Sequence, residues 1–149
     1  GHKPPKWTED GCREYLKRFQ RDLSITLTEI KPAFRIGDTD KNHLARMKEK
    51  DRILSKSNKN ADMIALDESG TQTTTNELAE LLTHCMTEGR DLDFVIGGAD
   101  GLAPEIKMQA DKTISLSRMT YPHALARLIL IEQLYRTQCI IKNHPYHRE

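Results

Sequence analysis

The chain has 149 residues and a mass of 17.1 kDa, with 37% hydrophobic residues, 30% charged residues and a formal net charge of +1. Area scaling indicates that a chain of this size buries roughly 69% of its unfolded surface, so one domain can form a core without metal or disulfide support. The longest apolar run, Leu128 to Ile131, is far too short to span a bilayer, which argues against a membrane protein.

The cysteines and the charge distribution further limit the class of protein and its possible partners. Cys12, Cys85 and Cys139 have no CxxC spacing, which argues against a disulfide framework and a zinc knuckle. No signal peptide is recognisable, so we expect a cytoplasmic protein. Residues 1–60 carry 15 Lys/Arg and 9 Asp/Glu, whereas residues 61–149 carry 8 and 13. The basic first part is either a surface for a polyanion or an ordinary solvated helix face.

The first part of the chain predicts a loop, two helices and one strand. Residues 1–6 (GHKPPK) form the loop. Thr8 is expected to cap a helix to Gln20 with apolar residues on one side, namely Trp7, Cys12, Tyr15, Leu16 and Phe19. The alternating pattern of Leu23 to Ile30 predicts a strand. The charged stretch from Asp38 to Ser57 predicts an exposed helix with four inward residues, Leu44, Met47, Ile53 and Leu54.

The second part predicts strands and helices in strict alternation. The predicted strands are Ala61 to Leu66, ended by residues 67–70, then Asp91 to Ile96 and Thr113 to Leu116. The predicted helices run from a Thr75 cap to Glu88 before Gly89, from Pro104 to Ala110, and from Pro122 to Ile141. This order predicts an α/β fold, a parallel-rich sheet with helices on both faces.

In parallel sheets, ligands bind beyond the carboxyl ends of the strands. Those ends are Leu66-Asp67, Ile96-Gly97-Gly98 and Leu116-Ser117. The glycines around Gly97 either admit a ligand to the backbone or form a tight turn, and they do not match the GxGxxG pattern of dinucleotide sites. Residues 116–121 (LSRMTY) have backbone groups that can hold a polar ligand, although alone they predict only a loop.

The last helix and the tail leave further alternatives open. The helix is apolar on nearly all sides as far as Ile131, which indicates a partner subunit. Glu132 and Arg136 have the spacing of a helix salt bridge, and a role in a site is the second interpretation. The tail, residues 144–149 (HPYHRE), is either disordered or suited to binding an RNA base and phosphate. His144 and His147 lack further ligands, so no metal site is predicted.

Taken together, three separated motifs resemble those of a known family. They are residues 116–136 (LSRMTYPHALARLILIEQLYR), residues 143–149 (NHPYHRE) and residues 95–102 (VIGGADGL). In this order and spacing they closely resemble the RlmH family, the 23S ribosomal RNA pseudouridine N3-methyltransferases of the SPOUT superfamily. The resemblance covers essentially the whole chain, including KPPKW and YLKRF near its start.

The resemblance implies a single SPOUT domain over residues 1–149 with a C-terminal trefoil knot. The family would place one more short strand before Gly1, so we expect that strand to be missing from this chain. The implied enzyme transfers a methyl group from S-adenosyl-L-methionine to N3 of a pseudouridine in 23S ribosomal RNA on the assembled ribosome. The implied partners are that RNA and a second copy of the chain, with no membrane or DNA partner.

The resemblance also implies site residues. The cofactor contacts fall on Leu66, Gly97, Leu116, Ser117, Arg118, Met119, Thr120 and Tyr121, which lie at the three strand ends selected from sheet topology. The tail residues Tyr146, His147 and Arg148 are expected to complete the active site, acting across the dimer. Histidine can accept a proton near neutral pH, arginine can hold a phosphate or a developing negative charge, and tyrosine can stack on a base.

Two other functions remain as alternatives. A non-catalytic RNA- or ribosome-binding module would use the basic first 60 residues and would have no pocket for S-adenosylmethionine. A nucleotide-binding oxidoreductase needs a glycine-rich first turn and a ribose-binding acid, and the sequence offers neither. Calorimetric titration with S-adenosylmethionine distinguishes all three.

Overall fold

The computed structural model describes residues 4–19, 39–56, 60–97 and 101–148. Its elements in chain order are α1 (Lys6–Leu16), α2 (Thr39–Lys56), β1 (Ala61–Gln72), α3 (Thr75–Thr87), β2 (Asp91–Ile96), α4 (Pro104–Gln109), β3 (Lys112–Ser115) and α5 (His123–Ile141). The strand predicted for Leu23 to Ile30 lies outside the described residues. Among those residues, no helix combines the length and apolar character needed to cross a bilayer.

The three strands form a parallel sheet in the order β2-β1-β3. The central strand β1 brings Leu66 opposite both Ile96 of β2 and Ile114 of β3. Each strand is followed by a helix in the chain, and α3 and α4 are the crossovers that connect consecutive parallel strands. The predicted parallel α/β arrangement is thus confirmed for the described elements.

Helices cover both faces of this sheet because alternate side chains of β1 point to opposite sides. Ile64 and Leu66 pack on one face with residues of α3 and α5, namely Leu78, Leu82, Leu130 and Leu134. Met63 and Ala65 pack on the other face with Val95, Leu102 and Ile106, against which Ile53 and Leu54 of α2 also rest. There is thus one core on each face of the sheet, and the prediction of helices on both faces is confirmed.

β1 is longer than predicted, because residues 67–70 do not end it. Leu66 and Thr71 both pair with Ile114, so the four residues between them loop out of the strand and pairing then resumes. Gly70 permits this: a Cβ there would lie 2.6 Å from the backbone carbonyl carbon of Ile114. The turn-forming residues Asp67 to Gly70 therefore form a bulge at the carboxyl end of the sheet.

The start of α1 and two of the inward residues were predicted wrongly. The helix begins at Lys6 after Pro5, and Thr8 lies inside it, where its hydroxyl donates a 2.6 Å hydrogen bond to the Pro5 carbonyl. Proline's fixed φ suits the helix entry, which shifts the start two residues ahead of the expected cap. Trp7 is 61% exposed and Leu44 is 55% exposed, whereas the small Ala45 is buried in α2.

α1 also ends at Leu16, four residues before the predicted end at Gln20. The boundaries of the other helices and of β2 and β3 agree with prediction to within two residues. The α3 cap is Thr74, whose hydroxyl accepts from the Glu77 amide while the Glu77 side chain accepts from the Thr74 amide. This reciprocal capping box explains why the helix starts at Thr75 itself. β3 lies one residue earlier than predicted, and Pro122 precedes α5 as its N-cap.

Candidate active site

The three predicted strand ends meet at one edge of the sheet. Leu66 pairs with Ile96 and with Ile114, so Gly97 follows directly on one side and Leu116 follows two residues later on the other. The bulge of residues 67–70 rises from β1 at the same edge. The structure therefore brings together the segments that carry all eight predicted cofactor residues.

The Leu66 side chain is turned away from this edge. It is 7% exposed and belongs to the core beneath α3 and α5. A ligand beyond the strand ends can meet only its backbone, so the side chain contributes packing and not recognition. Leu116 is similarly packed against that core while remaining partly exposed.

Gly97 lets the end of β2 pack closely against the backbone of Gly101 and Leu102. A Cβ at Gly97 would lie 2.6 Å from the backbone carbonyl carbon of Gly101 and 2.7 Å from the Leu102 nitrogen. Gly101 has a positive φ of 75°, a conformation that favours glycine. This geometry favours the tight-turn interpretation of the glycines, while residues 98–100 lie outside the described part of the chain.

The loop of residues 116–121 is held by two sets of hydrogen bonds. The Ser115 hydroxyl donates to the Ser117 carbonyl at 2.7 Å, and the Met119 amide donates to the Ser117 hydroxyl at 3.0 Å. At its far end the Thr120 hydroxyl donates to the Glu68 carboxylate at 2.6 Å. The bulge of β1 thus fixes the loop between β3 and α5.

Within the described residues, the backbone N–H groups of Arg118, Thr120 and Tyr121 make no hydrogen bond. Met119 beside them is 72% exposed. Unpaired backbone donors in a loop of defined shape can read the edge of a polar ligand, and the thioether side chain can pack against its apolar face. These properties suit a ligand that is recognised through the backbone.

The bulge also has an ordered carboxylate. Hydrogen bonds from the Ser69 side chain and backbone hold the pKa of Asp67 below its usual value, and the Lys107 ammonium at 3.3 Å acts in the same direction. Asp67 therefore stays ionised across the neutral range. Its contacts turn inward to the bulge and α4, so its role is to shape residues 67–70.

The tail is folded back on its own helix and is not extended. Asn143 has a φ of 58°, the His144 amide donates to the Cys139 carbonyl at 2.8 Å, and the Asn143 amide donates to the Ile140 carbonyl at 3.1 Å. This is a Schellman motif with asparagine in the left-handed position. It reverses the chain after α5 and directs the tail along the helix.

Tyr146 lies in a cluster of aromatic and charged side chains. Its hydroxyl donates to Glu132 Oε1 at 3.1 Å and lies 3.2 Å from the Tyr15 hydroxyl, which must therefore donate to it. Its ring packs edge-on against Tyr135, with centroids 4.8 Å apart. Burial chiefly, together with the bonds to Tyr15 and Glu132, raises the pKa of Tyr146.

His147 lies beside Arg136, whereas Arg148 is exposed. The Nη1 of Arg136 is 3.2 Å from Nδ1 of His147, and the Arg136 guanidinium lies 4.8 Å from the Tyr146 ring centroid. The same guanidinium binds Glu132 through two bonds of 2.9 Å and 2.7 Å. The structure thus brings Tyr146 and His147 together on the central part of α5.

Among the described residues, no hydrogen bond, ion pair or ring contact joins the tail to the loop of residues 116–121. Glu132, on which Tyr146 rests, lies nine residues beyond His123 at the start of α5. That spacing is about 14 Å along a helix axis. The Schellman turn holds the tail beside α5 in the single chain, as a clasp on α1 and α5, and the expected action across a dimer stays a prediction.

The sequence interpretation missed the residues that anchor the tail. Tyr15, Tyr135, Glu132 and Arg136 all contact Tyr146 or its partners. The available signal was the spacing of Glu132 and Arg136, which was interpreted first as a simple salt bridge. Glu68 was missed as well, because a carboxylate in a turn-forming run gives no indication of a distant partner.

Known proteins resemble this chain along its whole length. A family described as "Predicted SPOUT methyltransferase" matches residues 1–147. The chain is 52% identical over 149 residues to the ribosomal RNA large subunit methyltransferase H of Thiobacillus denitrificans, covering 100% of this chain and 95% of that protein. It is 49% identical to the protein of the same name from Dechloromonas aromatica, and the match covers 100% of this chain and 94% of that protein. It is also 49% identical to the one from Herminiimonas arsenicoxydans, where the match covers 99% of this chain and 94% of that protein. The chain therefore belongs to the SPOUT methyltransferase family.

Proposed function

We propose that this protein methylates N3 of a pseudouridine in 23S ribosomal RNA on the assembled ribosome, with S-adenosylmethionine as methyl donor. The observation that carries the proposal is the identity of about half of all residues to ribosomal RNA large subunit methyltransferases along the entire chain. The preserved length matters, because both the strand-end loops and the terminal tail fall within the aligned region. The choice of nucleotide follows the RlmH resemblance.

The strand-end edge fits the cofactor. Residues 116–121 offer unpaired backbone donors and the exposed Met119 side chain, and this combination suits an adenine read by backbone groups and covered by apolar atoms. The backbones of Leu66 and Gly97 border the same edge. When bound, S-adenosylmethionine supplies a methyl group that its sulfonium activates toward nucleophiles. The protein's contribution is to hold the donor and exclude water, and positioning alone can lower a transfer barrier by about 7–11 kcal/mol.

The tail fits the acceptor side of the reaction. N3 of pseudouridine carries a proton that must leave as the methyl group arrives, so the ring passes through a state with negative charge. Arg148 is exposed and cationic, and the Tyr146 ring is held by Glu132 and Tyr15. Beside the tail lies a groove of about 580 Å³ whose lining includes Arg18, Tyr135 and Lys142, suitable for phosphate and base contacts.

A homodimer would bring the strand-end edge of one chain together with the tail of the other. Leu125, Leu128 and Ile129 of α5 are only partly covered within the single chain, although Ile131 is buried. Leu128 contacts Gly11 of α1, so part of this apolar face is already used internally. A partner packed on the remainder would place its tail toward this chain's loop. We expect such a dimer to be cytoplasmic, each chain forming one SPOUT domain with a trefoil knot.

The test is methyl transfer from radiolabelled S-adenosylmethionine to ribosomes that lack the modification, compared with naked 23S ribosomal RNA. A chain with a net charge of +1 has few phosphate contacts to offer, so specificity must come from a shaped surface, with the basic residues of the first 60 steering the approach. We expect assembled ribosomes to be methylated far faster. Equal rates would contradict the ribosome requirement. Ribosome binding without either methylation or cofactor binding would favour a non-catalytic module.

A further inference from the structure

We propose that Arg136 is a positioning residue that holds His147 as a neutral imidazole with its hydrogen on Nε2. In this state His147 donates a hydrogen bond to the acceptor base and does not take its N3 proton. The proposal rests on the proposed function, because it gives the tail its place in the methyl transfer. It replaces the role of proton acceptor that sequence alone suggested for this histidine.

The direction of the hydrogen bond between these two side chains follows from their chemistry. Nη1 of Arg136 lies 3.2 Å from Nδ1 of His147. A guanidinium has only donors and stays protonated in proteins, so Nδ1 must be the acceptor and carries no hydrogen. A neutral imidazole with an unprotonated Nδ1 carries its hydrogen on Nε2. The accepting lone pair is therefore occupied, and the free nitrogen is a donor.

The guanidinium is held firmly enough to impose this state. Two bonds to Glu132 Oε1, of 2.9 Å and 2.7 Å, fix its orientation, and the Tyr146 ring lies against it at 4.8 Å. The side chains of Arg136 and Glu132 are only 26% and 18% exposed. Glu132 is held in turn by Gln133 at 2.8 Å, and Gln133 by Thr75 of α3 at 2.7 Å. Tyr146 and Glu132 thus align the arginine that orients His147.

A donor suits the acceptor base. N3 of a pseudouridine lies between two carbonyl groups, and loss of its proton spreads negative charge onto their oxygens. An N–H directed at one of these oxygens stabilises that charge as it develops. The proton itself passes to water, so His147 remains neutral throughout.

The first experiment compares three variants of His147 in methyl transfer to ribosomes. The amide nitrogen of glutamine can reach the position of Nε2, so we expect His147→Gln to stay within about tenfold of wild type, since a donor is kept. We expect His147→Ala and His147→Asn to lose about 10²–10³-fold in kcat, the scale of one oxyanion-type donor. A glutamine variant as slow as alanine would overturn the donor role. An alanine variant with wild-type kcat would instead contradict the role of the tail in the proposed function.

The second experiment measures the tautomer directly by ¹⁵N NMR of the full chain labelled at its 6 histidines, with His147→Gln identifying the His147 signals. We expect hydrogen on Nε2 in the wild-type protein. A free neutral imidazole populates both tautomers with Nε2–H only in moderate excess, so we expect Arg136→Met to show a mixture in place of the single Nε2–H form. The double variant Glu132→Gln/Arg136→Met should behave in the same way, and it leaves no unpaired carboxylate if the single variant folds poorly. Arg90→Met is the matched control, because Arg90 pairs with Asp62 and makes no described contact with the tail. Hydrogen on Nδ1 in the wild type, or an unchanged tautomer in both Arg136 variants, would overturn the proposal.

Discussion

The hydroxyl of Tyr146 donates a 3.1 Å hydrogen bond to the carboxylate of Glu132, a residue 14 positions earlier in the chain. This contact exists because Asn143 takes a left-handed conformation and turns the tail back along α5. The contact positions the ring of Tyr146 beside Arg136 and so links the terminal residues to the helix. Four aromatic rings and an ion pair thus meet at the tail, a packing that the sequence did not predict.

Replacement of Tyr146 by phenylalanine will change how stability responds to alkaline pH. Burial, first, and the bonds to Tyr15 and Glu132 raise the pKa of Tyr146 above its ordinary value of 10.0. The folded protein therefore keeps this proton where the unfolded chain loses it, so the contribution is complete below about pH 10 and declines as the pH rises further. The free energy of unfolding of the wild type, measured with denaturant, should fall more steeply above this pH than that of Tyr146→Phe. Parallel curves for the two proteins would contradict the assignment.

Replacement of Thr74 by alanine will destabilise α3 without touching the site. The Thr74 hydroxyl accepts from the Glu77 amide at 3.1 Å, and the variant leaves that amide unpaired at the helix start. We expect the free energy of unfolding to fall by about 1 kcal/mol, the usual cost of losing such a cap. Affinity for S-adenosylmethionine should remain at the wild-type value. Thr74→Ser, which keeps a hydroxyl acceptor, serves as the control and should recover most of the loss.

Replacement of Gly97 by valine will abolish cofactor binding. The new Cβ would approach the backbone of Gly101 and Leu102 to within 2.7 Å, so the turn after β2 must open and the strand-end edge must change shape. Calorimetric titration with S-adenosylmethionine is the measurement. Gly89→Asn is the control: Gly89 has a positive φ that asparagine tolerates, and a Cβ there meets nothing within 4 Å. Unchanged affinity in Gly97→Val would remove this edge as the cofactor site.

A charge on the outer face of α5 will weaken self-association. Ile129 is partly exposed on a helix whose first turns are apolar. We expect Ile129→Glu to convert a dimer into monomers, because the carboxylate would be buried at the interface without a partner. Light scattering at micromolar concentration measures the mass. Circular dichroism must show retained helix content. A wild-type monomer under these conditions would contradict the dimer, as would a variant that remains dimeric.

Deletion of residues 146–149 will separate catalysis from binding. We expect cofactor affinity and dimerisation largely to survive, because the strand-end loops lie about 14 Å along α5 from the residue that Tyr146 contacts. We expect turnover on ribosomes to fall by orders of magnitude, on the scale of about 10²–10⁴-fold expected for lost polar catalytic groups. A near-normal kcat would leave the tail as a structural clasp only. Tyr146→Phe keeps the ring and tests whether packing alone is sufficient.

Local signals in the sequence were sufficient to predict most elements. Short apolar runs bounded by turn residues predicted the strands β1, β2 and β3, and helix-period patterns with caps and breakers predicted the helices α2 to α5. The boundaries agree within two residues except at the far end of β1. The parallel sheet followed because strand and helix alternate, which leaves few other topologies. The same reasoning selected the edge where Leu66, Gly97 and Leu116 come together.

What the sequence determined by itself was the set of elements, the sheet edge and, through separated motifs of high specificity, the family. Tertiary structure alone decided which contacts hold the functional segments: Gly70 against the Ile114 backbone, Thr120 on Glu68, and Tyr146 on Glu132. Local patterns report only neighbours within one or two helical turns or along one strand. These contacts join residues separated by 14 to 52 positions, so they depend on how whole elements pack.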